Sequence, residues 1–224
     1  MDRFAATQRL YCRRPAAAVA RWETPFQRSR LHRPVTDPYD VLRRDPALAP
    51  LVDEHGPIPL EPHPEPFERL VTSIVNQQLS GASAAAIHGR LTGRFELTPS
   101  ALLAADEAAL REVGLSASKV DYLRSAAEAF DSGRLDPARF ESMPDEAVVE
   151  ALTEVRGVGV WTAKMFLIFV LAREDVFPVE DLGIRRGMQA LFGDEVDRDW
   201  MVERAVDWAP YRSYASRYLW RAVD

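Results

Sequence analysis

Beyond Pro66 the apolar residues recur at helical spacing, and this periodicity constrains the fold more than any other feature of the sequence. The first apolar stripe, at intervals of three and four residues, comprises Phe67, Leu70, Val71, Ile74 and Val75. Seven further segments follow a similar pattern, at 82–91, 117–130, 145–155, 160–172, 182–191, 200–208 and 211–222. None shows a convincing strand alternation. The sequence therefore predicts an all-α domain, whose two helical lobes should flank a cleft.

The residues before Pro66 differ in composition from the rest. Residues 1–35 carry arginines on a segment with marginal helix-forming capacity, and we interpret them as an N-terminal arm. Nine of the 16 prolines fall between Pro34 and Pro66, which predicts an irregular connection. We therefore divide the chain into an arginine-bearing arm, 1–35, and one helical domain, 36–224.

The charge is unevenly distributed along the chain. The formal net charge is −6, whereas a nucleic-acid-binding protein is usually basic. Residues 1–44 hold 10 of the 28 basic residues and four of the 34 acidic residues, which leaves a net charge of −12 on the other 180 residues. An acidic domain repels a polyanion at long range, so binding of any polyanion would depend on local arginines and backbone amides.

Several classes of protein are disfavoured by composition. The longest apolar run, 165–172, is too short to span a bilayer, and the N-terminal residues lack the apolar segment of a secretion signal. The single cysteine, Cys12, excludes an intramolecular disulfide and a four-cysteine metal or iron-sulfur site. The four histidines lack ligand-like spacing. We expect a cytoplasmic protein that has no membrane association and requires no cofactor.

A glycine bend, Gly157-Val158-Gly159, separates the helices predicted at 145–155 and 160–172. Glycine tolerates a positive φ, so the bend can be tight while Val158 points inward to hold the two helices together. The second helix begins with unpaired amides. With the positive end of the helix dipole, these amides form an anion site that needs no basic side chain. An isolated bend of this composition is more often an ordinary helix-helix turn, so its surroundings must decide.

Asp181 is the carboxylate that the chain can return to this bend. The helix at 160–172 runs away from the bend for roughly 20 Å, and residues 173–180, if extended, can retrace about 26 Å. Pro178 prevents an early restart of helix, and Asp181 is well placed to cap a helix that begins at Leu182. Capping alone is the alternative interpretation, but a capping aspartate can still direct one oxygen at a ligand.

A second glycine bend, at 113–116, precedes Lys119 by less than one helical turn. Ser116 and Lys119 can be interpreted as a secondary phosphate contact. A helix cap at Ser116 is the alternative, and the sequence does not decide between them.

Three segments, in this order, resemble those of the helix-hairpin-helix DNA glycosylases, and within them the 3-methyladenine-DNA glycosylase II family. The segment Ile74 to Ser80 resembles the family's first core helix and the turn that carries its DNA-probing residue. The segment Leu152 to Gly187 resembles its hairpin, buried helix and catalytic aspartate, and the segment Pro210 to Trp220 resembles its last helix. The similarity spans roughly residues 66–224, and the first 65 residues lie outside it.

The resemblance implies that Asp181 is the catalytic residue and that Trp161, Trp220 and Met165 form the base pocket. Two electron-rich indole faces suit an alkylated, positively charged purine, although core packing is the alternative role for each tryptophan. Met165 occupies a position that is aromatic in some relatives. In superfamily members that form a Schiff base and nick the strand, a lysine stands where this chain has Trp161, so the resemblance implies a monofunctional enzyme that uses water.

The resemblance also implies contacts with DNA. The phosphate-binding residues would be Gly157, Val158, Gly159 and Thr162. Gln78 aligns with the family's apolar wedge, which fills the gap that a flipped nucleotide leaves, and Leu79 lies next to it. A backbone-bound cation at the hairpin is compatible with this arrangement.

The expected function is therefore a glycosylase of base excision repair that removes alkylated purines, such as 3-methyladenine or 7-methylguanine, from damaged double-stranded DNA. We expect it to act as a monomer. A non-enzymatic helix-hairpin-helix DNA-binding module is one alternative, and it would need neither Asp181 nor the two tryptophans. A helical scaffold for other proteins, which the acidic charge favours, is a second alternative.

Overall fold

The structure is a computed structural model that describes residues 37–223, within which the regular elements are helices and no strand occurs. The predicted all-α class is therefore confirmed. The arm predicted at 1–35 lies outside the described residues. In chain order the helices are α1 (Pro38–Leu42), α2 (Ala49–His55), α3 (Pro66–Asn76), α4 (Gly81–Arg94), α5 (Pro99–Ala104), α6 (Glu107–Glu112), α7 (Ala117–Asp131), α8 (Pro137–Phe140), α9 (Asp145–Thr153), α10 (Val160–Phe169), α11 (Leu182–Phe192), α12 (Arg198–Ala205) and α13 (Arg212–Arg221).

The eight helices predicted from the apolar stripes are all present, although several ends are shifted by up to three residues. Helix α10 ends at Phe169 instead of residue 172, because Ala172 adopts a φ of 50°, outside the right-handed helical region. The pattern at 200–208 divides into α12 and a short 3-10 helix, Val206–Trp208. Tighter turns of this kind are common where an α-helix ends.

The prediction of an irregular connection between Pro34 and Pro66 was wrong for α1 and α2. Both helices carry a proline in their first turn, where the missing amide hydrogen has no intrahelical partner to lose. In α1 the Asp37 side chain also caps the helix by accepting a hydrogen bond from the Tyr39 amide at 2.8 Å. Proline density therefore marked helix starts as well as breaks.

Two separate hydrophobic cores define two lobes. The first lobe is formed by α3 to α10, and its core includes Ile74, Leu123 and Phe166. The second lobe is formed by α1, α2 and α11 to α13, and its core includes Trp208 and Tyr218. Burial of each such side chain contributes roughly 1.5–3 kcal/mol. Trp220 packs against both cores, so α13 contacts the first lobe through this residue.

Helices α11 and α13 approach each other closely because glycine occupies position 187. A Cβ atom there would lie 2.3 Å from the Leu219 carbonyl oxygen, which is too close for any side chain. One turn earlier, a Cβ atom on Gly183 would lie 2.8 Å from Cδ1 of Trp220. The two glycines therefore bring the beginning of α11, and Asp181 before it, beside the Trp220 indole.

Candidate active site

The predicted glycine bend joins α9 to α10 as a helical hairpin. Gly157 adopts a φ of 87°, as expected for a glycine that reverses the chain tightly. Val158 points into the first core and is only 4% exposed, so it holds the two helices together as predicted. No side chain caps α10, whose N-cap is Gly159.

The two glycines of the bend have opposite surroundings. A Cβ atom on Gly157 would lie 2.1 Å from the Tyr122 ring, so this glycine is required by packing. A Cβ atom on Gly159 would have no heavy atom within 4 Å, and both Gly159 and Val160 are exposed. The first amides of α10 therefore lie beside open space, at the positive end of the helix dipole. This geometry suits an anion such as a phosphate.

Asp181 returns beside the first turn of α10, as the chain-length argument predicted. Its Oδ2 accepts a hydrogen bond from Nε1 of Trp161 at 2.7 Å. Its Oδ1 accepts one from Nε1 of Trp220 at 2.9 Å and a second from the Ile184 amide at 2.9 Å, which caps α11. Capping and orientation toward the two indoles therefore coexist, and three donors from three helices fix the carboxylate.

The segment between α10 and α11 is held by a neighbouring ion pair. Nζ of Lys164 lies 2.9 Å from both carboxylate oxygens of Glu180 and also donates to the Phe177 carbonyl at 3.2 Å. Arg185 donates to the Glu180 carbonyl at 2.7 Å. Glu180 is thus neutralised by Lys164, which leaves Asp181 as the carboxylate that faces the two indoles.

Trp220 is backed by an aromatic residue that the sequence did not single out. The Phe169 ring stacks on Trp220 with centroids 5.6 Å apart and an interplanar angle of 26°. The Arg69 guanidinium lies 4.3 Å from the Phe169 centroid, and its burial lowers the pKa to about 10, so it remains a cation at neutral pH. Phe169 lies in a continuous apolar run, where periodicity gives no sign of such a contact.

Two residues predicted for the site, Met165 and Thr162, are buried. Met165 is 4% exposed and packs in the first core, which favours a packing role over a wall of an open pocket. Thr162 is 1% exposed, and its hydroxyl accepts a hydrogen bond from Gln77 at 2.9 Å, so only its backbone amide remains for a phosphate. The physical reason is that α10 is apolar on most sides and is packed between other helices.

The predicted wedge residues lie on an exposed turn between α3 and α4. Gln78 and Leu79 are both exposed, and Gln78 adopts a φ of 57°, which is uncommon for a residue other than glycine. The preceding Gln77 turns inward instead, and its Nε2 donates to the Gly157 carbonyl at 2.8 Å and to the Thr162 hydroxyl. Gln77 thus ties the exposed turn to the hairpin. A run of three polar residues in the sequence did not distinguish it from its neighbours.

The second glycine bend is a helix cap. Ser116 accepts a hydrogen bond from the Lys119 amide at 3.2 Å and so caps α7. Nζ of Lys119 points into the protein and donates to the carbonyls of Val75 and Gln77, at 2.6 and 2.9 Å. The interpretation of Lys119 as a phosphate contact is therefore wrong, because its ammonium group is already bound to the end of α3.

The sequence predicts neither a metal site nor a membrane-spanning helix. Between residues 37 and 223 no group of three or more histidine, cysteine, aspartate or glutamate side chains could hold a metal ion. Within the same residues, no helix has the length and apolar character needed to cross a membrane. The expectations of no required cofactor and of a cytoplasmic location stay predictions.

Comparison of the sequence with known proteins finds relatives that are DNA repair glycosylases. A model of the HhH-GPD superfamily of base excision DNA repair proteins matches residues 71–210. A Schizosaccharomyces pombe relative named DNA-3-methyladenine glycosylase 1 is 36% identical over 183 residues, which cover 78% of this chain and 79% of the relative. The Saccharomyces cerevisiae DNA-3-methyladenine glycosylase is 34% identical over 233 residues, covering 94% of this chain and 75% of the relative.

The fold is similar to that of a protein solved with DNA. The Schizosaccharomyces pombe 3-methyladenine DNA glycosylase, in complex with abasic DNA, superimposes with a TM-score of 0.75 at 33% identity. The match covers 83% of this chain and 96% of that chain.

Proposed function

Because the chain belongs to the HhH-GPD superfamily of base excision DNA repair proteins, we propose that it is a DNA glycosylase that hydrolytically removes alkylated purines, such as 3-methyladenine or 7-methylguanine, from damaged double-stranded DNA. The names of its relatives support this substrate class. The observation that carries the proposal is the Asp181 carboxylate, held by two indoles beside the open beginning of α10. The protein acts as a monomer and needs no cofactor for this reaction.

The chemistry follows from the charge that develops when a purine leaves. As the bond between C1′ and the base nitrogen breaks, the base takes the electron pair and positive charge appears on the sugar. An anion fixed near the sugar stabilises this transition state more than the substrate. At about 4 Å and an effective dielectric constant near 20, the attraction is on the order of 4 kcal/mol. Asp181 can also accept the proton of the water that adds to C1′.

The two tryptophans prepare the pocket for a cationic base. Because both indole N–H groups are bound to Asp181, the planes of Trp161 and Trp220 are fixed relative to the carboxylate. One face of Trp220 is covered by Phe169, so a base stacks on its other face or on Trp161. An alkylated purine is positively charged and is attracted to an indole face. Alkylation also weakens the glycosidic bond, so the reaction needs no strong general acid.

The hairpin supplies a phosphate site that does not require a basic surface. A domain with a strong negative charge gains little from long-range attraction to DNA, so short-range hydrogen bonds from α10 amides must position the backbone. A backbone-bound cation at the hairpin would strengthen this contact. Chelation with EDTA would then weaken DNA binding without abolishing base release.

Gly159→Ala tests this phosphate site. The new Cβ atom meets no heavy atom within 4 Å and the residue has a φ of −94°, so the fold accommodates alanine, and the melting temperature should fall only by the small cost of replacing a glycine N-cap. The methyl group would occupy the space through which a phosphate approaches the α10 amides. We therefore expect the Kd for duplex DNA, measured by fluorescence anisotropy, to rise about tenfold, which corresponds to about 1.4 kcal/mol.

Gly93→Ala in α4 is the matched control, since its Cβ atom also meets nothing within 4 Å. It should leave DNA affinity unchanged. Binding by Gly159→Ala with the affinity of the parent protein would place the phosphate contact elsewhere.

We expect no strand cleavage through a Schiff base. Where the lyase members of the superfamily carry the lysine that forms the Schiff base, this chain resembles them in its surroundings but has Trp161. The nearby Lys164 is bound to Glu180 and to the Phe177 carbonyl. Incubation with lesion-containing duplex and borohydride should leave protein and DNA separate on a denaturing gel. A trapped covalent adduct would show that the enzyme is bifunctional.

Direct identification of the released base tests the proposed function. Methylated duplex DNA is incubated with the protein, and the soluble products are separated by chromatography. We expect free methylpurines and matching abasic sites, with none released from unmethylated duplex. Binding without release would instead identify a non-enzymatic helix-hairpin-helix DNA-binding module.

A further inference from the structure

Lys119 belongs to α7, and its ammonium group lies at the C-terminal end of α3, immediately before the exposed turn formed by Gln78 and Leu79. Its Nζ donates to the Val75 carbonyl at 2.6 Å and to the Gln77 carbonyl at 2.9 Å. These carbonyls belong to the last turn of α3 and to its C-cap, where no further helical amides follow to bind them. A cation at this end of a helix also interacts favourably with the helix dipole.

The turn that Lys119 supports has an unfavourable backbone conformation. Gln78 adopts a left-handed φ of 57°, which residues with a Cβ atom rarely adopt unless their surroundings impose it. The residue before it, Gln77, is held through both its backbone and its side chain. Its carbonyl accepts from Lys119, while its side chain donates to the Gly157 carbonyl of the hairpin at 2.8 Å. Gln77 and Lys119 therefore anchor one end of the turn to α7 and to the hairpin.

A turn that inserts a side chain into the DNA duplex needs a backbone that is held in place. Flipping a nucleotide out of the duplex costs free energy from lost pairing and stacking, and a side chain that fills the gap has to resist being pushed back. Gln78 and Leu79 are exposed, and the hydrogen bond that the Leu79 amide donates to the Asn76 carbonyl at 3.3 Å stays within the turn itself. The resistance must come through the backbone that precedes them.

We propose that Lys119 is a positioning residue for base flipping, which holds the end of α3 so that the Gln78–Leu79 turn can enter the duplex. This role rests on the proposed glycosylase function. Lys119 acts through the backbone of α3 and touches neither the base nor the sugar. The ammonium group is partly buried, and desolvation lowers its pKa, consistent with an internal rather than a DNA-facing position.

Lys119→Met separates this role from general stability. The substitution removes the ammonium group and keeps an unbranched side chain. We expect kcat/KM on a lesion in duplex DNA to fall about tenfold, whereas excision of the same lesion from a single-stranded oligonucleotide changes less than about twofold, because an unstacked base needs no flipping. Lys119→Arg retains a cation and should recover part of the duplex activity.

Thr98→Ala is the matched control for lost stability. Thr98 caps α5 in the same lobe by accepting a hydrogen bond from the Ala101 amide at 3.2 Å, away from the end of α3. Its loss should affect duplex and single-stranded excision equally. If Lys119→Met lowers both activities in parallel with the melting temperature, or lowers neither, the positioning role is overturned.

Fluorescence of an environment-sensitive base analogue placed opposite or beside the lesion reports flipping without chemistry. The parent protein should increase the signal on duplex DNA, and Lys119→Met should reduce that increase. A parent protein that flips but releases no base would refute the proposed enzymatic function while still testing Lys119. Equal signals from the parent and Lys119→Met would overturn the positioning role alone.

Discussion

Asp181→Asn is expected to lower the single-turnover rate of methylpurine release by about three orders of magnitude, which corresponds to about 4 kcal/mol of transition-state stabilisation. Asparagine still offers an oxygen to the Ile184 amide and is as good an N-cap as aspartate, so α11 should remain stable. It lacks the negative charge that stabilises the positive charge developing on the sugar, and its amide nitrogen replaces one of the two oxygens that accept hydrogen bonds from the indoles and the Ile184 amide. The measurement is release of labelled base under enzyme excess, with the melting temperature determined in parallel.

Asp197→Asn is a control with the same capping role and a different position. Asp197 caps α12 by accepting a hydrogen bond from the Trp200 amide at 2.8 Å, and we assign it no part in the chemistry. Its substitution should leave the rate of base release unchanged. A rate for Asp181→Asn within a factor of about ten of the parent would mean that the carboxylate supplies little of the stabilisation required.

Gly157→Ala is expected to destabilise the fold by roughly 2–5 kcal/mol. Alanine is disfavoured at a φ of 87° by about 1–2 kcal/mol, and its Cβ atom would lie 2.1 to 2.5 Å from the base of the Tyr122 side chain. Relieving that overlap must displace α7 or the hairpin, at a typical cost of about 1–3 kcal/mol. The melting temperature should fall by about 5–15 °C, and DNA affinity should fall because the amides of α10 move.

Gly193→Ala isolates the backbone contribution to this effect. Gly193 has a φ of 104° and a ψ of 157°, a region almost exclusive to glycine, but a Cβ atom there meets nothing within 4 Å, so we expect a loss of about 1–3 kcal/mol from the backbone alone. Truncating Tyr122 to alanine in the Gly157→Ala background should remove the steric part of the penalty. Equal melting temperatures for Gly157→Ala and Gly193→Ala would show that contact with Tyr122 does not shape the hairpin.

The helices and the hairpin were predictable because they depend on local chemistry. Apolar stripes longer than about ten residues indicate helices, and a glycine bend between two such stripes indicates a hairpin with free amides. The return of Asp181 followed from chain length, with Pro178 preventing an early restart of helix. Helices α5, α6 and α8 were missed because six, six and four residues are too few to establish a period.

The partners of individual side chains were not predictable, because they come from distant parts of the chain. Gln77 and Thr162 are 85 residues apart, and Lys119 binds carbonyls more than 40 residues away. The local sequence around Lys119 fits a surface contact as well as an internal one. For Met165 the resemblance predicted a pocket residue, whereas its burial in the first core depends on how α10 packs against other helices.

A crystal structure of the protein with duplex DNA that contains a positively charged nitrogen analogue of the departing sugar would test the central claim most directly. The account predicts that the ring nitrogen lies within about 4 Å of an Asp181 oxygen, with a neighbouring phosphate bound by the first amides of α10. A complex in which the sugar analogue lies away from Asp181, or in which the hairpin contacts no phosphate, would contradict it.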